Sequence, residues 1–357
     1  MPIKDDPRSY TWGRRKRNLF LWIGGGLILV IGLSVAGYFV FRGDSTNTNT
    51  QLTNTPTSNT YRRVLDGVTV AKEEANLFPW AVMVENYYTT RPQAGLTKAG
   101  VVYEALAEGG ITRFLLIFAT HENIEAIGPV RSARPYYVDW AREYDAMYVH
   151  VGGSQQALQR IKDTGIKDFN QFFNSGAFKL LNNKVQPHHM FTDSRLLTFG
   201  ARDEGYPKTG DFEGWTFADD PPLDVRPVTP QTITVDFSSE NYEVQYVYDR
   251  ATNSYLRSAG GKDSLDENGD QRVAPKNVVL QFVTIGMYDE QRLNITTTGS
   301  GKAIIYRDGT KIEGTWKKEK PESRTFFYDA DGKEMVFTAG QTWVEVLEKD
   351  RQNYSDQ

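Results

Sequence analysis

The 357-residue sequence contains no cysteine. That excludes disulfides, thiol catalysis, thiolate metal sites and a lipid-modified cysteine. Histidine is scarce, with only His121, His150, His188 and His189. None has the HxH or HExxH spacing that brings two imidazoles to one metal, so no metal and no cofactor are expected. There is no G-x-G-x-x-G, no Walker motif and no G-x-S-x-G, so neither a nucleotide loop nor a nucleophile elbow is signalled. "DSLDENGDQ" (263–271) misplaces the glycine of a calcium loop and lacks its bidentate glutamate, and reads as a hairpin loop. A basic surplus is missing too. The 41 Lys and Arg face 45 Asp and Glu, a net charge of −4, which argues against nucleic acid as a partner.

One long apolar run is present. Residues 19–41, "LFLWIGGGLILVIGLSVAGYFVF", carry no charge and follow the basic cluster "RRKR". The run is long enough to cross a hydrocarbon core of about 30 Å. Positive charge stays on the cytoplasmic side. This predicts a cytoplasmic basic tail over 1–18, a single plasma-membrane helix over 19–41 and an extracytoplasmic remainder. A cleaved signal peptide is the other reading, although its apolar region usually spans only about 7–15 residues. Residues 42–60 are rich in Thr and Asn and nearly free of apolar side chains, the composition of a disordered tether.

Two grammars follow. Over 61–209, strand-like runs ("WAVMVEN", "AMYVHV") alternate with helical ones ("PYYVDWAREY", "SQQALQRIKDTG"), which predicts an α/β or α+β domain. A proline-rich and acidic stretch, 210–228, reads as an inter-domain linker. Over 229–350, short β-rich runs separated by turns such as Asp308-Gly309 predict a mostly β domain able to fold alone. Residues 351–357 are expected to fray.

Candidate site residues lie in the first of these regions. "YEALAEGGITRF" reads as a hairpin about Gly109-Gly110. With a two-residue turn, Leu106 faces Arg113, and Glu104, Glu108 and Arg113 share one face. That cluster is either a structural salt bridge or a poised carboxylate pair, and a one-residue slip would move Arg113 to the other face. Downstream, Pro135 marks a helix start because its missing N–H is not needed there. Arg131 and Arg134 stand beside that start, where the helix dipole and two guanidiniums favour a carboxylate or phosphate. Glu85, Glu104, Glu108 or Asp139 could instead neutralise them. A second strand-to-helix turn, Gly152-Gly153-Ser154, places His150 nearby and could face the same pocket. His188, in "QPHHMFTD", is a further candidate lining residue.

"WAVMVEN", "RPQAGLTKAGVVYEALAEGGITRFLLIF", "IGPVRSARPYYVDWAREYDAMYVHVGGSQQAL" and "PHHMFT" together resemble the YerB-like family of bacterial proteins catalogued as lipoproteins. So do "GSGKAIIYRDGTKIEGTWKK" and "GQTWVEV" in the second half. The resemblance covers nearly all of 61–347. It implies two adjoining domains of unknown function and a cell-envelope location, without an established reaction. This sequence departs from the pattern in lacking the lipid-accepting cysteine; a membrane helix would replace the lipid. The leading expectation is a membrane-anchored envelope protein that binds an anionic ligand and assists cell-wall assembly. Its partners would be the plasma membrane and a cell-wall polymer or cell-wall synthesis proteins. An envelope enzyme acting on a lipid-linked phosphate or glycopolymer is the alternative. It rests on a layout similar to the LytR-CpsA-Psr transferases. A non-catalytic docking scaffold is the third reading.

Overall fold

A computed structural model describes residues 60–229 and 231–357. The tail at 1–18, the apolar run at 19–41 and the tether over 42–59 lie outside them. Among the described residues no helix is long and apolar enough to cross a membrane. The described residues form one compact unit.

Runs such as "WAVMVE" and "NVVLQFV" are apolar at nearly every position, and strands of that kind need cover on both faces. In chain order the main strands are β1 (Trp80–Glu85), β2 (Val101–Leu106), β3 (Thr112–Phe118), β4 (Met147–His150), β5 (Asp168–Asn170), β6 (Thr232–Asp236) and β7 (Glu243–Asp249). Then follow β8 (Ser254–Ala259), β9 (Asn277–Val283), β10 (Gly299–Arg307), β11 (Thr310–Lys318), β12 (Phe326–Asp329), β13 (Thr342–Glu348) and β14 (Tyr354–Asp356). Strands dominate, with three α-helices among the described residues: α1 (Pro135–Arg142), α2 (Gln155–Thr164) and α3 (Ser194–Asp203).

Ten strands form one mixed sheet in the order β12-β11-β10-β9-β13-β2-β3-β1-β4-β5. Its two faces pack against different layers. Ala81, Met83, Tyr103 and Leu115 point to the layer holding α1 and α2, with Tyr137 and Trp140 at its centre. Val82, Val84, Phe114 and Leu116 point to the other layer, built from α3 and a second sheet of β8, β7, β6 and β14. The strands of the second sheet alternate buried and exposed, as half-solvated antiparallel strands do.

The structure departs from the sequence reading in three places. The two segments share the large sheet, because β13 lies between β9 and β2 and pairs in parallel with both. The stretch expected to be a linker, 210–228, is a packed strap: Trp215 is buried, donates to the Thr325 carbonyl at 2.8 Å and stacks on Phe337, while Thr216–Ala218 pair with Val336–Thr338. The expected frayed tail contains β14, which pairs with β6 and carries Tyr354 against Phe282. An aromatic side chain with an apolar surface to cover outweighs polar neighbours in sequence.

Candidate functional site

The site is organised by the turn between β2 and β3. Gly109 and Gly110 both adopt left-handed backbone, with φ of 66° and 72°. The loop is longer than two residues: Ala107 N–H bonds the Ile111 carbonyl, Leu106 faces Thr112, and Ala105 faces Arg113. That is a one-residue shift from the two-residue hairpin, and it separates the expected cluster. Glu104 points to one side of the sheet, and Arg113 to the other. The extra loop residue decides the faces because side chains alternate with period two.

Glu104 is fully buried and takes its partners from both segments. Thr112 Oγ1 donates to it at 2.6 Å and Asn86 Nδ2 at 2.9 Å, while Arg257 on β8 donates through Nη2 at 2.5 Å. Arg257 lies over Trp343, 4.5 Å from the ring centre. Glu345 on β13 stands opposite Glu104 in register and accepts a hydrogen bond from the Tyr246 hydroxyl. Burial, and then the Glu104 charge, push the Glu345 carboxyl well above the usual carboxylate range. Both acids are closed to solvent, so their carboxylates join the segments rather than meeting a ligand.

On the opposite face, Glu108 leaves the turn and is gripped by Arg134, through Nε and through Nη2 at 2.7 Å, with Arg113 Nη2 at 3.4 Å. Burial opposes ionisation of Glu108, but the Arg134 hydrogen bond and the Arg113 charge outweigh it and hold its pKa below the usual value. Arg113 also donates to the Ser132 carbonyl at 2.9 Å. Burial, and then the Arg134 charge, lower the Arg113 pKa.

Beside this cluster lies a cleft of about 310 Å³ lined by Glu85, Tyr87, Glu108, Ile111, Arg113, Arg131 and His188. The "QPHH" loop is pinned there: His188 Nδ1 is 2.7 and 2.9 Å from the Glu85 oxygens, its ring stacks on Tyr87, and Arg131 Nη1 donates to the Pro187 carbonyl at 3.0 Å. Glu85 is 3% exposed. Burial raises its pKa, against the lowering effect of Arg131 and His188. Among the described residues Arg131 has no carboxylate at ion-pair distance. Three arginines therefore stand beside Glu108 and the buried Glu85.

The remaining expected residues do not enter this cleft. His150 is fully buried, with Nδ1 2.7 Å from the Gly152 carbonyl oxygen and Nε2 2.7 Å from Asp168. Gly152 has φ of 56° and gives its N–H to Asn170 Oδ1 at 3.0 Å. Gly153 bridges to Ala133, and Ser154 caps α2 by accepting from Ala157 N–H at 3.2 Å. This turn binds the starts of α1 and α2 to each other. The two starts do border a common groove, where Arg134 and Ser154 sit with Arg160 and Arg292. Arg160 is paired with Asp139 there, and Arg292 with Asp289, so its charges are matched. Among the described residues no group of three or more acids and histidines gathers as a metal site.

Sequence reasoning passed over Arg257 and Glu345, and used Glu85 only as a neutraliser. A signal existed for the first two. "YLRSA" and "WVEVL" each carry one charge inside an apolar strand, and such a charge needs a buried partner.

Two family models match the chain. "Protein of unknown function (DUF3048) N-terminal domain" covers residues 65–207, and the corresponding C-terminal domain covers 233–344. A relative from Bacillus subtilis (strain 168), named "Putative lipoprotein YerB", is 31% identical over 288 residues, which are 79% of this chain and 85% of the relative. The crystal structure of YerB protein from Bacillus subtilis superposes with a TM-score of 0.74 at 30% identity, covering 83% of this chain and 99% of that one. Two domain matches in tandem and agreement in sequence and fold lead to one conclusion: the chain belongs to the YerB-like DUF3048 family.

Proposed function

We propose that the chain is a cell-envelope protein, held at the plasma membrane through residues 19–41 with its folded part outside. In this reading the Arg131 cleft binds an anionic envelope ligand and so assists cell-wall assembly. The name of the Bacillus subtilis relative supports the envelope location. With no cysteine in this sequence, the apolar run stands as the anchor.

The observation that carries the ligand class is Arg131. It lines the cleft beside Arg113 and His188, and among the described residues it is matched by a main-chain carbonyl instead of an acid. A guanidinium so placed favours a phosphate or carboxylate oxygen through charge-assisted hydrogen bonds. Arg134, expected to share this role equally, acts instead by holding Glu108 and shaping the wall.

Calorimetric titration of the full chain with a purified phosphate-bearing wall polymer tests this. Wild type should bind with an affinity that falls as salt rises. Arg131→Ala should bind about 10- to 150-fold more weakly, the loss of one charge-assisted hydrogen bond. Equal affinity of the two proteins would contradict the reading.

A further inference from the structure

We propose that a second cleft, on the β6–β8 side of the large sheet, binds a small ligand bearing one carboxylate and an apolar body. The cleft measures about 230 Å³. Arg91, Arg257 and Asn86 give it a polar wall, and Pro92, Leu96 and Leu265 an apolar one. It shares no lining residue with the Arg131 cleft.

Arg91 is the centre of the inference. Its Nε donates to Asn86 Oδ1 at 2.9 Å, and the Asn86 amide is itself locked on Glu104 and Thr112. Its guanidinium lies over the Tyr242 ring, 5.4 Å from the centroid. The group is therefore held in one place. Yet neither Nη makes a hydrogen bond among the described residues, and Nη2 is buried. No carboxylate there reaches Arg91 at ion-pair distance. The other charged residues of the wall are Arg257, Lys262 and Asp263, and the buried Glu104 charge lies behind it. Burial, and then Arg257, lower the Arg91 pKa to about 10, against the raising effect of the Glu104 charge.

A partly desolvated cation with no carboxylate at ion-pair distance is costly, and an incoming anion relieves that cost. The remaining wall chemistry narrows the ligand. Each nitrogen of Arg257 already donates once, to Glu104, Tyr246 or Ser264, so Arg257 is held by the protein and contributes mainly charge. Asp263 is paired with Arg272. The terminal edge of Arg91 remains free, with Lys262 as a second cation in the lining, and the planar geometry of that edge matches one carboxylate. The apolar wall and the volume suit a body about the size of a small ring.

The test uses fluorobenzoate as probe, followed by fluorine NMR on the full chain. Fluorobenzoate should bind, and the neutral fluorobenzamide should not. Arg91→Met should weaken fluorobenzoate at least about tenfold, and Arg131→Ala should leave it unchanged. A second readout needs no variant: fluorobenzoate should raise the wild-type Tm, and fluorobenzamide should not. Binding by Arg91→Met equal to wild type would overturn the proposal, as would equal binding of fluorobenzamide. Displacement of fluorobenzoate by inorganic phosphate at equal concentration would overturn the carboxylate assignment. Loss of binding in Arg131→Ala alone would move the carboxylate to the other cleft and overturn this one.

Discussion

Glu104 and Glu108 lie within one strand and its turn, yet they meet opposite environments. Glu104 is sealed between the large sheet and β8, and its cation, Arg257, comes from more than 150 residues away. Glu108 sits at a cleft with its cations, Arg113 and Arg134, close in sequence. The first pair is the more costly to break, since one partner alone cannot be rehydrated. The second leaves a neighbouring cation, Arg131, with no carboxylate at ion-pair distance among the described residues. Matched charge marks the joint between segments, and surplus charge marks the candidate site.

The largest effect should come from the sealed side. Arg257→Met strands the Glu104 charge and should cost about 3–5 kcal/mol in denaturant unfolding. A loss below about 1 kcal/mol would show that Glu104 does not need its partner. Next is Glu108→Gln, which releases Arg134 and Arg113 at a partly solvated position and should cost about 1–2 kcal/mol at neutral pH. The Glu108 pKa is lowered on folding, so its stabilisation is present above its ordinary value of 4.5 and is lost as pH falls below it. The wild-type and Glu108→Gln stabilities should therefore converge in acid.

Glu345→Gln should show the opposite sign. The raised pKa of Glu345 means that the native state keeps a proton which the unfolded chain has lost. Its contribution is complete below the unfolded value near 4.5 and is lost as pH rises through the folded one. The variant cannot ionise, so its stability should stay within about 1 kcal/mol of wild type in acid. It should fall less steeply toward alkaline pH. A parallel pair of pH–stability curves would contradict the protonated carboxyl. Smallest of all, Arg131→Ala should change stability by about 0.5 kcal/mol or less, because its protein partner is one carbonyl. A larger drop would make Arg131 a structural residue.

Much of this was legible from local pattern. The Pro135 helix start, the Ser154 cap and the Asp308-Gly309 turn follow from single-residue backbone chemistry. The clustering of Arg113, Arg131 and His188 was harder to read, since it depends on which face each strand residue takes. The expected hairpin counted one loop residue too few and so put Arg113 beside Glu104. Pairings across the chain were not legible at all. Nothing near "TWVEVL" says that it will slot beside "VVYEAL", although a lone Glu amid buried apolar neighbours says that some partner exists.

Hydrogen–deuterium exchange of the full chain, with and without the phosphate-bearing wall polymer, separates the two faces most directly. Bound polymer should slow exchange in residues 128–134 and 185–190, which carry Arg131 and the His188 loop. It should leave 101–106 and 342–348, which carry Glu104 and Glu345, unchanged. Slowing that spares the Arg131 and His188 segments, or no slowing under conditions where binding is measured, would contradict the assignment of the anion to this cleft.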